Sequence, residues 1–129
     1  LSAVGDADRN RKRARMERPV LLCGLGRVGW RVLDALRAAG FPVVVIDIKA
    51  EPDDPRLAGV TVLRGDCRRH ELLEQAGVAA ARGVVIVTSD DLVNISTALL
   101  ARKLNPSARV VVRMFNQNLI GRFGAAVKN

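Results

Sequence analysis

The chain has 129 residues, 49% of them hydrophobic, which suits one globular domain with a real core and excludes a disordered segment. Its formal charge of +8 is partly concentrated in residues 1–18, where Arg9, Arg11, Lys12, Arg13, Arg15 and Arg18 face only Asp6, Asp8 and Glu17. No apolar run approaches the roughly 20 residues needed to cross a bilayer, and no apolar stretch follows the basic start, so a soluble piece without a signal peptide is expected.

Residues 1–18 read as a basic flexible linker, since runs of like charge are usually solvated. Contact with a nucleic acid or an anionic membrane is the other reading of such charge. No aromatic side chain is interleaved there for base stacking, and no nucleic-acid partner is expected. Opening on Leu1 rather than Met suggests a piece of a longer polypeptide.

Pro19 suits the first position of a strand, and Val20 to Cys23 form the first apolar run. Gly24, Gly26 and Gly29 follow in G-x-G-x-x-G spacing, and then a helix over Arg27 to Ala39. Its Val28, Val32 and Leu36 recur every four residues, and Gly40 stands where a helix-ending glycine belongs. The second strand is Val43 to Asp47. Lys49 to Gly59 is turn-rich, with at most one helical turn. Val60 to Leu63 make the third strand. Asp66 is placed to cap the next helix, whose Leu72, Leu73 and Ala76 face inward and which Gly77 ends.

Gly83 introduces Val84 to Val87, a β-branched run expected of a strand covered on both faces. Thr88-Ser89-Asp90-Asp91 supplies caps and acids for a third helix, in which Leu92, Ile95, Leu99 and Lys103 with Leu104 mark one stripe. Asn105-Pro106 stops it, and Arg109 to Val112 form a fifth strand ending at Arg113. Phe115, Leu119, Ile120 and Phe123 share one face of a terminal helix, either as core or as a partner surface. Strand and helix alternate throughout. The fold class is therefore α/β, a Rossmann-type doubly wound parallel sheet over residues 19–129, truncated before a sixth strand beyond Asn129.

The glycine turn carries the chemistry. Its first glycine allows a tight turn and its second removes the Cβ that would hold a phosphate away from the backbone. The third lets helix and strand pack closely. Free amides at the helix start suit a pyrophosphate. Asp47 lies near the spacing expected of a ribose-binding acid, with strand-end capping as its other reading. Cys23 and Cys67 form no metal constellation, and His70 is the single histidine, so zinc chemistry is not expected. Both cysteines read as reduced packing residues. The second strand would separate the first from the third, which makes a Cys23–Cys67 disulfide improbable.

Gly24-Leu25-Gly26-Arg27-Val28-Gly29, Asp47, Gly65-Asp66-Cys67, Thr88-Ser89-Asp90-Asp91 with Asn94, Asn105-Pro106 and Val111-Val112-Arg113 follow one another as in the RCK (regulator of potassium conductance) N-lobe, also called the Trk-type nucleotide-binding domain. The chain resembles that family from about Pro19 to Phe123. The resemblance implies a cytosolic regulatory module, not an enzyme, that binds NAD(H) or ATP/ADP and sits at the inner face of the membrane. Its implied partners are a potassium channel or transporter membrane subunit or domain and further copies in a homodimer or ring. The family's smaller C-terminal lobe is absent from this sequence. The resemblance also implies that Gly24, Leu25, Gly26, Arg27, Val28 and Gly29 line the phosphates and that Asp47, with Ile48 and Lys49 beside it, meets the ribose. Asp66 and Cys67 would lie by the adenine edge, and Thr88 and Ser89 at the ligand side of the fourth strand, while Arg113 reads equally as a structural ion-pair partner or a ligand contact. An NAD-dependent oxidoreductase domain is the alternative function, with no catalytic constellation in its favour.

Overall fold

In a computed structural model, which describes residues 18–116, 118 and 120–122, short β-branched runs become the strands of one parallel sheet. In chain order the elements are β1 (Val20–Cys23), α1 (Arg27–Ala38), β2 (Val43–Asp47), β3 (Thr61–Arg64), α2 (His70–Gln75), β4 (Gly83–Ile86), α3 (Asp91–Leu104) and β5 (Arg109–Val112). Single 3₁₀ turns occupy Pro55–Leu57 and Val78–Ala80. The strand order is β3-β2-β1-β4-β5, every pair is parallel, and the order reverses between β1 and β4.

Alternation along β1 shows how the two faces are filled. Leu21 and Cys23 point into a core with Leu73 of α2 and Ala98 and Ala101 of α3. Leu22 points the other way, onto Leu33 of α1, Val45 and Leu57. Burying a side chain such as Leu21 or Leu22 fully contributes about 1.5–3 kcal/mol, and both are 0% exposed. The helix α1 is also fastened to the loop ahead of β3. Arg37 donates to the carbonyls of Arg56 and Ala58 at 2.8 and 2.9 Å, and Arg56 stacks 4.1 Å from the Trp30 ring centroid.

Most boundaries fall where the residues suggest, and the exceptions have local causes. The third strand runs from Thr61 to Arg64, not Val60 to Leu63, because Val60 N closes a turn onto Leu57 O while Arg64 pairs with Asp47. The helix α1 ends at Ala38, and Gly40, at φ +86°, donates back to Arg37 O. The strand β4 takes in Gly83 and stops at Ile86, after which Val87 N still reaches Cys23 O.

The stripe on α3 is the larger surprise. Leu92 and Leu99 are 66% and 44% exposed, and the face turned to the sheet holds Asn94, Thr97, Ala98 and Ala101 instead. Of the expected stripe, Leu104 does pack against the core, as does Leu100, while the fully buried positions go to small or polar side chains. Of the terminal-helix residues, Phe115 and Ile120 are exposed, and Leu119 and Phe123 lie outside the described residues, as does the basic stretch 1–17.

Candidate functional site

The carboxyl ends of β1, β2 and β4 open into a crevice of about 490 Å³ at the point where the strand order reverses. In an open parallel sheet the connections on either side of that point diverge and leave room for a ligand. Gly24, Leu25, Gly26 and Arg27 line the crevice where β1 turns into α1. Asp47, Ile48 and Lys49 line it at β2, Asp66 and Cys67 beyond β3, and Thr88 and Ser89 beyond β4.

Two residues of the sequence-derived set lie behind this surface. Val28 packs its side chain into the core under α1. Gly29 is buried, and a Cβ there would come within 2.0 Å of the Gly24 carbonyl oxygen. Its absence lets the helix sit on the turn. At Gly26, by contrast, a Cβ would project into open space, so the missing side chain leaves the crevice accessible. Gly24 has φ +103°, a left-handed conformation that favours glycine.

The start of α1 offers unpaired donors. Gly26 gives no side-chain cap and the first turn has no acidic residue. Trp30 N makes the first intrahelical bond, to Gly26 O at 3.0 Å, so the amides before it have no helical acceptor. Such an end attracts an anion. Arg27 beside it is exposed, with no ion-pair partner among the described residues.

Asp47 is held rigidly. One carboxylate oxygen accepts from Leu25 N at 2.8 Å and the other from Lys49 N at 3.0 Å. A carboxylate has about four acceptor positions, so each oxygen keeps one for a hydroxyl pair. Ile48 is 63% exposed next to it, an apolar platform that no protein side chain covers.

Asp66 does not cap a helix. The N-cap of α2 is Arg69, which has no capping side chain, and Asp66 instead accepts from Arg68 N at 2.9 Å. It also grips the Arg68 guanidinium at 2.6 and 3.1 Å. This hydrogen-bonded pairing holds the Asp66 carboxyl below the usual carboxylate range. Three residues, Cys67 to Arg69, separate Asp66 from α2, which puts the acid too far ahead of the helix.

Cys67 and Cys23 are both buried and free. The strand β2 does lie between β1 and β3, and Cys67, which follows β3, shares one core cluster with Cys23, where the two thiols interact. That interaction with Cys23, ahead of the bond to Thr97 Oγ1 at 3.2 Å, lowers Cys67 to about 7. Cys23 is pushed up by the same contact and by burial.

Thr88 is fixed through Asn94, which is 0% exposed. The Thr88 hydroxyl donates to Asn94 Oδ1, while Asn94 Nδ2 donates to Thr88 O at 3.1 Å and Arg113 O at 2.8 Å. One amide thus joins the ends of β4 and β5 to α3. Asp90 caps α3, as its sequence position implies, by accepting from Leu92 N and Val93 N. Asp91 accepts from the amides of Phe115 and Asn116 at 2.9 and 2.8 Å.

Arg68 and Arg113 also line the crevice; sequence reasoning left Arg113 open between an ion-pair partner and a ligand contact and gave Arg68 no site role. A signal existed for Arg68, two residues from an acid in a turn. Asn94 shows a signal as well, because positions 94, 97, 98 and 101 repeat at helical spacing with small or polar residues. No group of three or more metal-ligating side chains occurs among the described residues. His70 lies on α2, where its Nε2 meets Glu74 at 2.7 Å.

Parallel strands in this order, a glycine turn feeding an open helix start, and an acid at the end of the second strand define a domain of Rossmann-type fold. More narrowly, the chain belongs to the TrkA-N domain family, whose profile matches residues 20–126. Potassium channel protein 1 of Methanocaldococcus jannaschii is 30% identical over 99 residues, covering 72% of this chain and 29% of that protein. The Shewanella denitrificans Kef CTD in AMP-bound form superposes with a TM-score of 0.75 at 27% identity, over 84% of this chain and 66% of that one. The GsuK channel bound to NAD gives 0.73 at 28% identity, over 85% of this chain and 20% of that one. The chain spans 20%, 29% and 42% of the length of three curated relatives it matches. No helix among the described residues is long and apolar enough to cross a membrane.

Proposed function

We propose that the chain is the nucleotide-sensing regulatory domain of a potassium channel or transporter, binding NAD(H) or ATP/ADP at the glycine turn. Its binding would gate transport through rearrangement of a dimer or ring. The carrying observation is that the bare amides of α1 and the rigidly held Asp47 carboxylate line one crevice. Amides bind the phosphates there, Asp47 takes the ribose hydroxyls, and Ile48 supports the base. Arg27 adds a charged fork for a terminal phosphate. A carboxylate at Asp47 repels a 2′-phosphate, which favours NAD or ADP over NADP.

Regulation, not catalysis, suits a crevice that the single histidine, engaged with Glu74 on α2, does not line. The domain would work on the cytoplasmic side of the membrane, attached to its pore through a subunit or a fused segment. Residues 1–18 serve in this reading as the basic linker and 19–129 as the N-lobe. For binding to drive gating, the ligand must favour one arrangement of the assembly over another.

Thermal shift and calorimetry with AMP, ADP, ATP, NAD, NADH and NADP test this reading. A ligand at a hundredfold excess over Kd stabilises the fold by about 2.7 kcal/mol. Asp47→Ala is expected to weaken every adenosine ligand by about tenfold, the worth of one hydrogen bond to a charged group. Unchanged affinities in that variant would falsify the ribose role.

A further inference from the structure

At the end of the crevice opposite Asp47, β4 and β5 bring in Thr88 and Arg113. The backbone of Arg113 is held on both sides, its amide donating to Ile86 O at 2.9 Å and its carbonyl accepting from Asn94 at 2.8 Å. Its guanidinium lies over the Phe115 ring, 4.2 Å from the centroid, which keeps the cation in place. Among the described residues no carboxylate pairs with it. The acids that line or flank the crevice are already engaged. Asp47 holds the Leu25 and Lys49 amides, Asp66 holds Arg68, and Asp90 and Asp91 hold amides of α3 and of Phe115 and Asn116. Arg113 is therefore a half-buried positive charge, without a direct ion pair among the described residues, lining one end of an open crevice.

Consider a dinucleotide with its adenosine against Asp47 and its pyrophosphate on the α1 amides. Its second nucleoside runs past β4 towards β5, because β4 adjoins β1 and β5 lies beyond. The oxidised nicotinamide ring carries a full positive charge, and the reduced ring is neutral. The two forms share every other group, so a fixed cation near the ring discriminates by charge alone. We infer that Arg113 is the residue by which this crevice tells reduced from oxidised nicotinamide dinucleotide, accepting the neutral ring and disfavouring the cation. This rests on the nucleotide-binding reading above. Two like charges about 4 Å apart in water-like surroundings shift an affinity by about fivefold.

Calorimetric titration of the 129-residue chain with AMP, NAD⁺ and NADH at low salt tests it. NADH is expected to bind about fivefold more tightly than NAD⁺. Arg113→Gln should bring that ratio close to one, and Arg113→Lys should keep it. AMP, which does not extend to β5, should bind equally in all three proteins. Equal affinities for NADH and NAD⁺ in the unaltered chain, or a preference that survives in Arg113→Gln, overturn the assignment while AMP binding shows the nucleotide site intact. Failure of AMP to bind the unaltered chain removes the site itself, and the assignment with it.

Discussion

Gly26 and Gly29 belong to one turn but answer to different constraints. A methyl group on Gly29 meets the Gly24 carbonyl at 2.0 Å, so backbone must move to admit it. Gly29→Ala is expected to lower the unfolding free energy by about 3 kcal/mol, as overpacking against main chain does. Gly26→Ala puts its methyl into open space and should change stability by less than about 1 kcal/mol, the scale of a helix-cap substitution. Under the proposed function it obstructs the phosphates instead. Urea denaturation and nucleotide titration of both variants separate the two effects, and equal stability losses would remove the distinction. These glycines and Asp47 were legible in the sequence because their backbone demands leave few alternatives. Asp66 was not, since an acid ahead of a helix and an acid paired with an arginine two residues on look alike in one dimension.

Among the elements, α3 is anchored by a buried amide as well as by Leu100 and Leu104, which pack against the core. Asn94 satisfies the carbonyls of Thr88 and Arg113 and accepts from the Thr88 hydroxyl, in a site with no access to solvent. Removing it leaves those groups without partners. Asn94→Ala is expected to destabilise the fold by about 2–3 kcal/mol in urea denaturation, the desolvation penalty of buried polar groups left unpaired. A loss below about 0.5 kcal/mol, typical of a surface change, would contradict that role. Strand positions, to within a residue, and the start of α3 were readable from β-branched runs and a capping acid. The buried face of α3 was not, because hydrophobicity marks the long side chains and close packing selected the small ones.

For the molecule as a whole, the side chains left uncovered point to assembly. Leu92 and Leu99 on α3, Val111 on the edge strand β5, and Phe115 and Ile120 beyond it are all more than a third exposed. A dimer or ring built on this side predicts that Leu99→Glu shifts sedimentation towards the monomer while leaving its melting midpoint within a few degrees. An unchanged sedimentation profile would place the contact elsewhere. The hold of Asp91 on Phe115 and Asn116 gives that side a mechanical meaning. The backbone at Phe115 and Asn116 is thereby tied to the first turn of α3, three residues from the asparagine that joins the crevice rim. Under the proposed function, a tilt of α3 would carry that stretch of backbone with it, as a lever turns on its fulcrum.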